Sequence, residues 1–173
     1  EDYDHAVARG AKILAEVVGY GFSSNGSGIS QASDEGSVVA MQRALADAAM
    51  KPSDIDYINA HATSTPQGDH YEALALSRLF GGSDTWVSST KSMTGHLLGA
   101  TGALEAMFCT MALVDDIVPP TINHEEGDED EEIDYTLNFT FNKAEKRPVR
   151  AALSNSFGFG GHNATVILKK YEK

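Results

Sequence analysis

Three short segments concentrate the side chains able to move protons, hold charge or cradle an oxyanion. The first is His61-Ala62-Thr63-Ser64-Thr65-Pro66-Gln67-Gly68-Asp69. An imidazole titrates near neutrality, so His61 could donate to a developing negative charge or carry a proton. The plainer reading is a loop histidine that hydrogen-bonds its Thr and Ser neighbours. The second segment runs from Lys91 through His96 to Glu105 and is rich in Gly and Ala. Lys91 and Glu105 are either an ion pair beside His96, as burial would require, or two surface charges that never meet. The third is Asn155-Ser156-Phe157-Gly158-Phe159-Gly160-Gly161-His162-Asn163. Glycines on both sides of Phe159 permit positive φ and bring backbone N–H groups close to a ligand oxygen, as an oxyanion hole requires. A β-hairpin turn explains Gly160-Gly161 equally well, but not the two phenylalanines.

The elements that position these segments follow from periodicity and punctuation. Ala11–Phe22 mixes β-branched, apolar and small residues and ends in the Ser/Asn/Gly cluster 23–30, a strand and its exit loop. Val38, Val39, Met41, Leu45 and Ala49 recur at helical spacing before Lys51-Pro52, which predicts a helix over 35–50. Ser53-Asp54 can cap a short turn ahead of a strand over 55–60, which opens into the His61 loop. A second helix is expected over 69–80, packing through Ala73, Leu74, Leu76 and Leu79 and closed by Gly81-Gly82. Trp86-Val87-Ser88 reads as a short strand leading to Lys91. A long helix over 95–115 should follow, ended by Pro119-Pro120. Its Gly95, Gly99, Ala100, Gly102, Ala103 and Ala106 would form a face nearly free of side chains, in a buried helix that something approaches closely. Strands are expected over 135–141, 149–156 and 163–169, the last two paired through the glycine turn. Helices alternating with strands predict an α/β domain with a mixed sheet covered by helices.

Composition narrows the function. The chain has 173 residues, 42% of them hydrophobic, enough for one domain with a sizeable core. Thirteen basic against twenty-five acidic side chains give a net charge of −12, which argues against nucleic acid and disfavours an acidic partner. The apolar stretches read as too interrupted to span a bilayer, so no membrane role is expected. Much of the acidity lies in Glu125–Asp134, where mutual repulsion predicts a solvated surface loop, with a cation or partner site as the alternative. The single cysteine, Cys109, rules out an intrachain disulfide and a cysteine-based zinc cluster and suits a reducing, cytoplasmic setting. The start at Glu1, without Met or a signal pattern, reads as a piece beginning inside a longer chain.

Taken together and in order, INAHATSTPQGD, SSTKSMTGHLLGATGALEA and NSFGFGGHN resemble the signatures of the β-ketoacyl-acyl-carrier-protein synthases, most closely the synthase II type of the thiolase fold. The resemblance extends from Arg9 to Lys170. It implies the C-terminal half of a thiolase-like fold, occupying residues 1–173 as one half-domain. It implies decarboxylative Claisen condensation of an acyl thioester with malonyl-acyl-carrier protein in fatty-acid elongation, with no cofactor and no metal. By the same resemblance His61 and His96 are the catalytic histidines that stabilise the enolate, and Lys91 and Glu105 support them electrostatically. Phe159 is the gating phenylalanine, with Gly158 and Gly160 shaping the oxyanion hole. Thr63 and Thr65 hold the phosphopantetheine arm of the carrier protein. Ala62 stands where a glycine is usual, and His162 where many members have Thr. The family's nucleophilic cysteine belongs to the N-terminal half, and Cys109, on an apolar helix, reads as an inert small hydrophobe instead. The implied partners are therefore acyl-carrier protein, malonyl-acyl-carrier protein and an N-terminal half-domain, in a homodimeric parent, with the isolated chain inactive. The rivals are a thiolase or initiating type III synthase, opposed by the Lys91-to-His96 motif, a polyketide ketosynthase, and a non-catalytic chain-length or interaction subunit.

Overall fold

The computed structural model describes residues 1–26, 33–127 and 129–172. A short helix, α1 (Tyr3–Ala8), precedes the long strand β1 (Ala15–Ser24), and α2 (Asp34–Asp47) follows. Next come β2 (Tyr57–Asn59), α3 (Pro66–Phe80), β3 (Trp86–Ser88), the single turn α4 (Lys91–Thr94) and α5 (Thr101–Asp115). Short strands β4 (Ile117–Val118), β5 (Asn138–Phe139) and β6 (Glu145–Lys146) lead to the hairpin β7 (Ala151–Gly158) and β8 (His162–Lys170). Six strands form one sheet in the order β1-β8-β7-β2-β3-β5. The β1–β8 and β8–β7 pairs are antiparallel, and β7, β2, β3 and β5 run parallel. The mixed sheet covered by helices is thus as expected.

Strand alternation divides the core in two. Ile58, Leu153 and Ile167 point to one face, where Met41, Ala44 and Leu45 of α2 and Ala75, Leu76 and Phe80 of α3 cover them. Their neighbours Tyr57, Ala152 and Leu168 point to the other, under Cys109, Ala112 and Leu113 of α5. On the first face α2 lies almost on the backbone of β1: a Cβ on Gly21 would fall 1.9 Å from the Ala40 carbonyl oxygen. That close approach is what the glycines of the VVGYG run permit.

Four boundaries differ from the sequence expectation. The first strand begins at Ala15 and continues through Ser24, and the rest of its exit cluster, from residue 27, lies outside the described residues. Helix α3 starts three residues earlier than its periodicity suggests, because Pro66 fits the first turn, where no N–H is needed. The strand over 135–141 shrinks to Asn138–Phe139. The largest difference is the helix expected over 95–115. Gly95 and Leu98 have positive φ, 69° and 54°, so the chain turns between α4 and α5 and the long helix starts only at Thr101.

Helix α5 is also not buried all round. It sets Thr101, Glu105, Cys109, Ala112 and Leu113 against the sheet and turns Met107, Met111 and Val114 outward, with Gly99, Ala100 and Ala103 exposed nearby. The 18 residues Leu98–Asp115 are long and apolar enough to pass for a membrane span, contrary to the reading that no stretch approaches one. Their buried stripe, with a carboxylate in it, packs instead as one side of a domain core.

Candidate active site

His61 sits just beyond β2, where the sheet's parallel strands end and helices begin, the edge at which α/β proteins gather ligands. Its loop is clamped from below. The Glu72 carboxylate on α3 accepts the backbone N–H of His61 (2.9 Å) and of Ala62 (2.7 Å). A third bond to Glu72 comes from Asn155 Nδ2 on β7, at 3.1 Å. Asn155 in turn accepts the Thr165 hydroxyl at 2.8 Å. Glu72 is buried, and burial pushes its carboxyl above the ordinary range while the N–H donors pull it back. This carboxylate ties the first chemical segment to the third, because Asn155 opens the strand end that carries Phe157 and the glycines.

The two histidines meet. Their ring centroids lie 5.4 Å apart, edge to face at 87°, with Phe157 on the other side of His61 at 5.8 Å. Burial, then the charge of Lys91 and the neighbouring His96, push the His61 imidazole down to about 3. It is neutral at physiological pH. His61 Nδ1 is buried without a partner among the described residues. His96 is oriented by the turn that interrupts the expected helix: the Leu98 N–H donates to its Nδ1 (3.1 Å), and the Thr101 hydroxyl lies 2.9 Å from the same atom. A backbone N–H can only donate, so in the neutral ring the proton sits on Nε2. Leu98 adopts positive φ to make this contact, a conformation that costs a leucine about 1–2 kcal/mol.

Lys91, the first residue of α4, is paired with Glu105 of α5, and their side chains are 5% and 2% exposed. Sequence spacing left this pair open, and the packing of α5 against the sheet closes it. Burial drives the Glu105 carboxyl up and Lys91 opposes the shift. A carboxylate and an ammonium held there in water-poor surroundings each need the other, since breaking such a pair typically costs about 3–5 kcal/mol. Glu105 Oε2 and Asn59 Oδ1 are buried without partners among the described residues.

Phe159 stands apart from this cluster. It is at the tip of the β7–β8 turn, 86% exposed, and the ring beside His61 is Phe157 instead. Positive φ falls on Gly160 (83°) and Gly161 (77°), whereas Gly158 ends β7 with ordinary strand geometry. The expectation of positive φ on both sides of Phe159 is therefore corrected to one side. Thr63 and Thr65 face each other through hydroxyls 3.1 Å apart at the loop's outer edge. A cavity of about 450 Å³ lies behind them, reaching Lys91 and Glu72 and walled by Leu76, Val87 and Phe139. Cys109 is fully buried, and burial pushes its thiol far above the ordinary range, as an inert packing residue requires. Glu72 was missed by the sequence reading, which named Asn155 and Phe157 only as members of the third segment and gave them no role of their own.

A mixed sheet with two edge-on imidazoles, a buried Lys–Glu pair and a glycine turn at one end of its strands is the arrangement of a thiolase-like fold. Residues 14–125 match the family described as "Beta-ketoacyl synthase, C-terminal domain", and the chain belongs to that family. It is 46% identical over 175 residues to 3-oxoacyl-[acyl-carrier-protein] synthase 2 of Vibrio harveyi, covering 98% of this chain and 41% of that protein. Identity to the protein of the same name in Rhizobium meliloti (strain 1021) is 49%, over 99% of this chain and 40% of that one. Among solved structures, a β-ketoacyl synthase from Burkholderia phymatum STM815 superposes with a TM-score of 0.93 at 40% identity, over 99% of this chain and 41% of that one. The ishigamide ketosynthase/chain length factor gives 0.93 at 37% identity, over 99% and 42%. A type II polyketide ketosynthase bound to the hexaketide, in complex with its acyl-carrier protein, gives 0.91 at 32%, over 99% and 42%. The chain spans about two fifths of the length of these relatives.

Proposed function

We propose that this chain is the C-terminal half-domain, residues 1–173, of a β-ketoacyl-acyl-carrier-protein synthase of the synthase II type. The observation that carries the reading is the pair of imidazoles 5.4 Å apart, one held neutral and the other with its proton on Nε2. Two imidazole N–H donors side by side suit a carbonyl that becomes an enolate. In the proposed reaction the carboxylate–carbon bond of a malonyl thioester breaks, carbon dioxide leaves, and the electron pair moves into an enolate whose oxygen takes hydrogen bonds from His61 and His96. The enolate carbon then attacks an acyl thioester on a cysteine of the N-terminal half. The resulting oxyanion is met by the Phe159 N–H and collapses with loss of the cysteine thiolate, which leaves the β-ketoacyl product on the carrier arm. Lys91 and Glu105 fix the charge around the histidines. Gly158 and Gly160 shape the Phe159 turn, and Thr63 and Thr65 hydrogen-bond the phosphopantetheine arm.

Acyl-carrier protein is the proposed partner, by similarity to the polyketide ketosynthase solved with its carrier protein. A homodimeric, cytoplasmic parent completes the reading. The chain alone is inactive because the nucleophile is elsewhere. The test is a condensation assay with acyl- and malonyl-carrier protein. Full-length protein should give β-ketoacyl product, His61→Ala or His96→Ala should abolish malonyl decarboxylation, and the isolated chain should give nothing. Condensation by the isolated chain, or undiminished decarboxylation by both variants, defeats the reading. A polyketide ketosynthase is the second reading, favoured by the superposition on the ishigamide and hexaketide-bound enzymes. Product analysis separates the two: repeated unreduced extensions mark the polyketide enzyme, one extension per cycle the fatty-acid enzyme. Retention of His61, Lys91 and His96 speaks against a non-catalytic chain-length subunit.

A further inference from the structure

We propose that His162 positions the turn that carries Phe159, by stacking with Phe22 to form a platform under Gly160. The register of the antiparallel strands sets this up. His162 lies opposite Gly158 on one side and opposite Ser24 on the other, and Phe22, two residues before Ser24, shares that face of the sheet. The imidazole and the Phe22 ring stack with centroids 5.7 Å apart and planes 28° from parallel. Diagonal aromatic pairs of this kind lie within reach across a ladder and stabilise it. The ring also faces the turn: a Cβ added to Gly160 would come within 3.4 Å of His162 Cδ2 and Nε2.

The two glycines of the turn are held in different ways. Gly161 is bonded through its carbonyl, which accepts the Asn25 N–H (2.7 Å) and Asn163 Nδ2 (3.2 Å). Gly160 has the His162 ring in front of it, and Phe159 beside it is 86% exposed. The side chain at 162 therefore sets where the Phe159 amide sits. A threonine at this position would have no ring to stack on Phe22, so histidine gives the turn a support that a smaller side chain lacks.

The inference rests on the reading of Phe159 as an oxyanion donor, and the test separates the two. In the full-length protein carrying this chain, acyl transfer to the enzyme and decarboxylation of malonyl thioester are measured as separate half-reactions for His162→Ala and His162→Phe. Displacing one oxyanion donor without removing it should slow acyl transfer in His162→Ala by about tenfold in kcat. KM for the acyl donor and the decarboxylation rate should stay within about twofold, and His162→Phe, which rebuilds the stack, should recover most of the loss. Hydrogen exchange at the Phe159 and Gly160 amides should accelerate in His162→Ala and return in His162→Phe. Unchanged acyl transfer, equal losses in both half-reactions, or failure of His162→Phe to rescue would overturn the proposal. If the unsubstituted protein performs neither half-reaction, the functional reading fails, and exchange decides the positioning claim: a Phe159 rate unmoved by His162→Ala rejects it.

Discussion

Because the fold holds the His61 imidazole neutral, folding must exclude a proton that the unfolded chain binds below its ordinary value of 6.5. With the native value near 3, the unfolded state carries more protons between those limits, so stability is complete above pH 6.5 and falls as pH drops towards 3. Between pH 7.5 and 5.5 this group alone should remove about 1.4 kcal/mol. Urea unfolding of the chain and of His61→Gln at the two pH values checks it, and the substitution should flatten the slope by that amount. A slope equal in both proteins would mean that the His61 imidazole takes up its proton in the native state as it does in the unfolded chain. The imidazole was visible in the sequence as a candidate, but its protonation was not. Neutrality comes from burial and from Lys91, thirty residues away in the chain.

At the scale of elements, helix α2 owes its place to two missing side chains. Gly21 and Gly19 let the Ala40 and Ala44 carbonyls approach the β1 backbone. Gly21→Ala should push the helix off the strand and lower stability by about 1–3 kcal/mol, the usual penalty for overpacking. Thermal or urea denaturation measures it. Gly26→Ala, at a position where none of the described residues stands within 4 Å of the new carbon, is the control and should stay within about 0.5 kcal/mol. The interruption between α4 and α5 belongs to the same scale. Composition suggested one long helix, because Gly, Ala and Leu are all compatible with one. The His96 acceptor and the Leu98 N–H instead make a local bond that competes with helix continuation. That bond is what aims His96 at His61.

Considered as a whole molecule, the chain leaves a broad apolar surface on the side of the sheet covered by α5. Met107 is 59% exposed and Met111 57%, on the helix face opposite the buried stripe, and Leu98, in the turn before the helix, is 79% exposed. Exposed side chains this apolar and this close together mark a surface meant to be covered. On the proposed reading the N-terminal half-domain covers it. Met107→Lys with Met111→Lys should leave urea stability of the isolated chain within about 0.5 kcal/mol, because both side chains already meet water. Introduced into the full-length protein, the same pair should cause loss of soluble, assembled enzyme on size-exclusion chromatography. Normal assembly would show that this face has another role.

Sequence alone determined the class of fold, the order of three chemical segments and the reading of Cys109 as a small packing residue. Each rests on local patterns: alternation, helical spacing, glycine punctuation and residue type. It also located His61, His96 and Lys91 without showing that they meet. Tertiary structure decided the contacts between segments distant in the chain: the edge-on histidines, the Lys91–Glu105 pair, the Glu72 clamp joining α3 to β7, and the placing of the Phe157 ring beside His61. The physical reason is common to all of them. Periodicity is written in neighbours, whereas burial, desolvation and ion pairing depend on which elements the sheet order brings together.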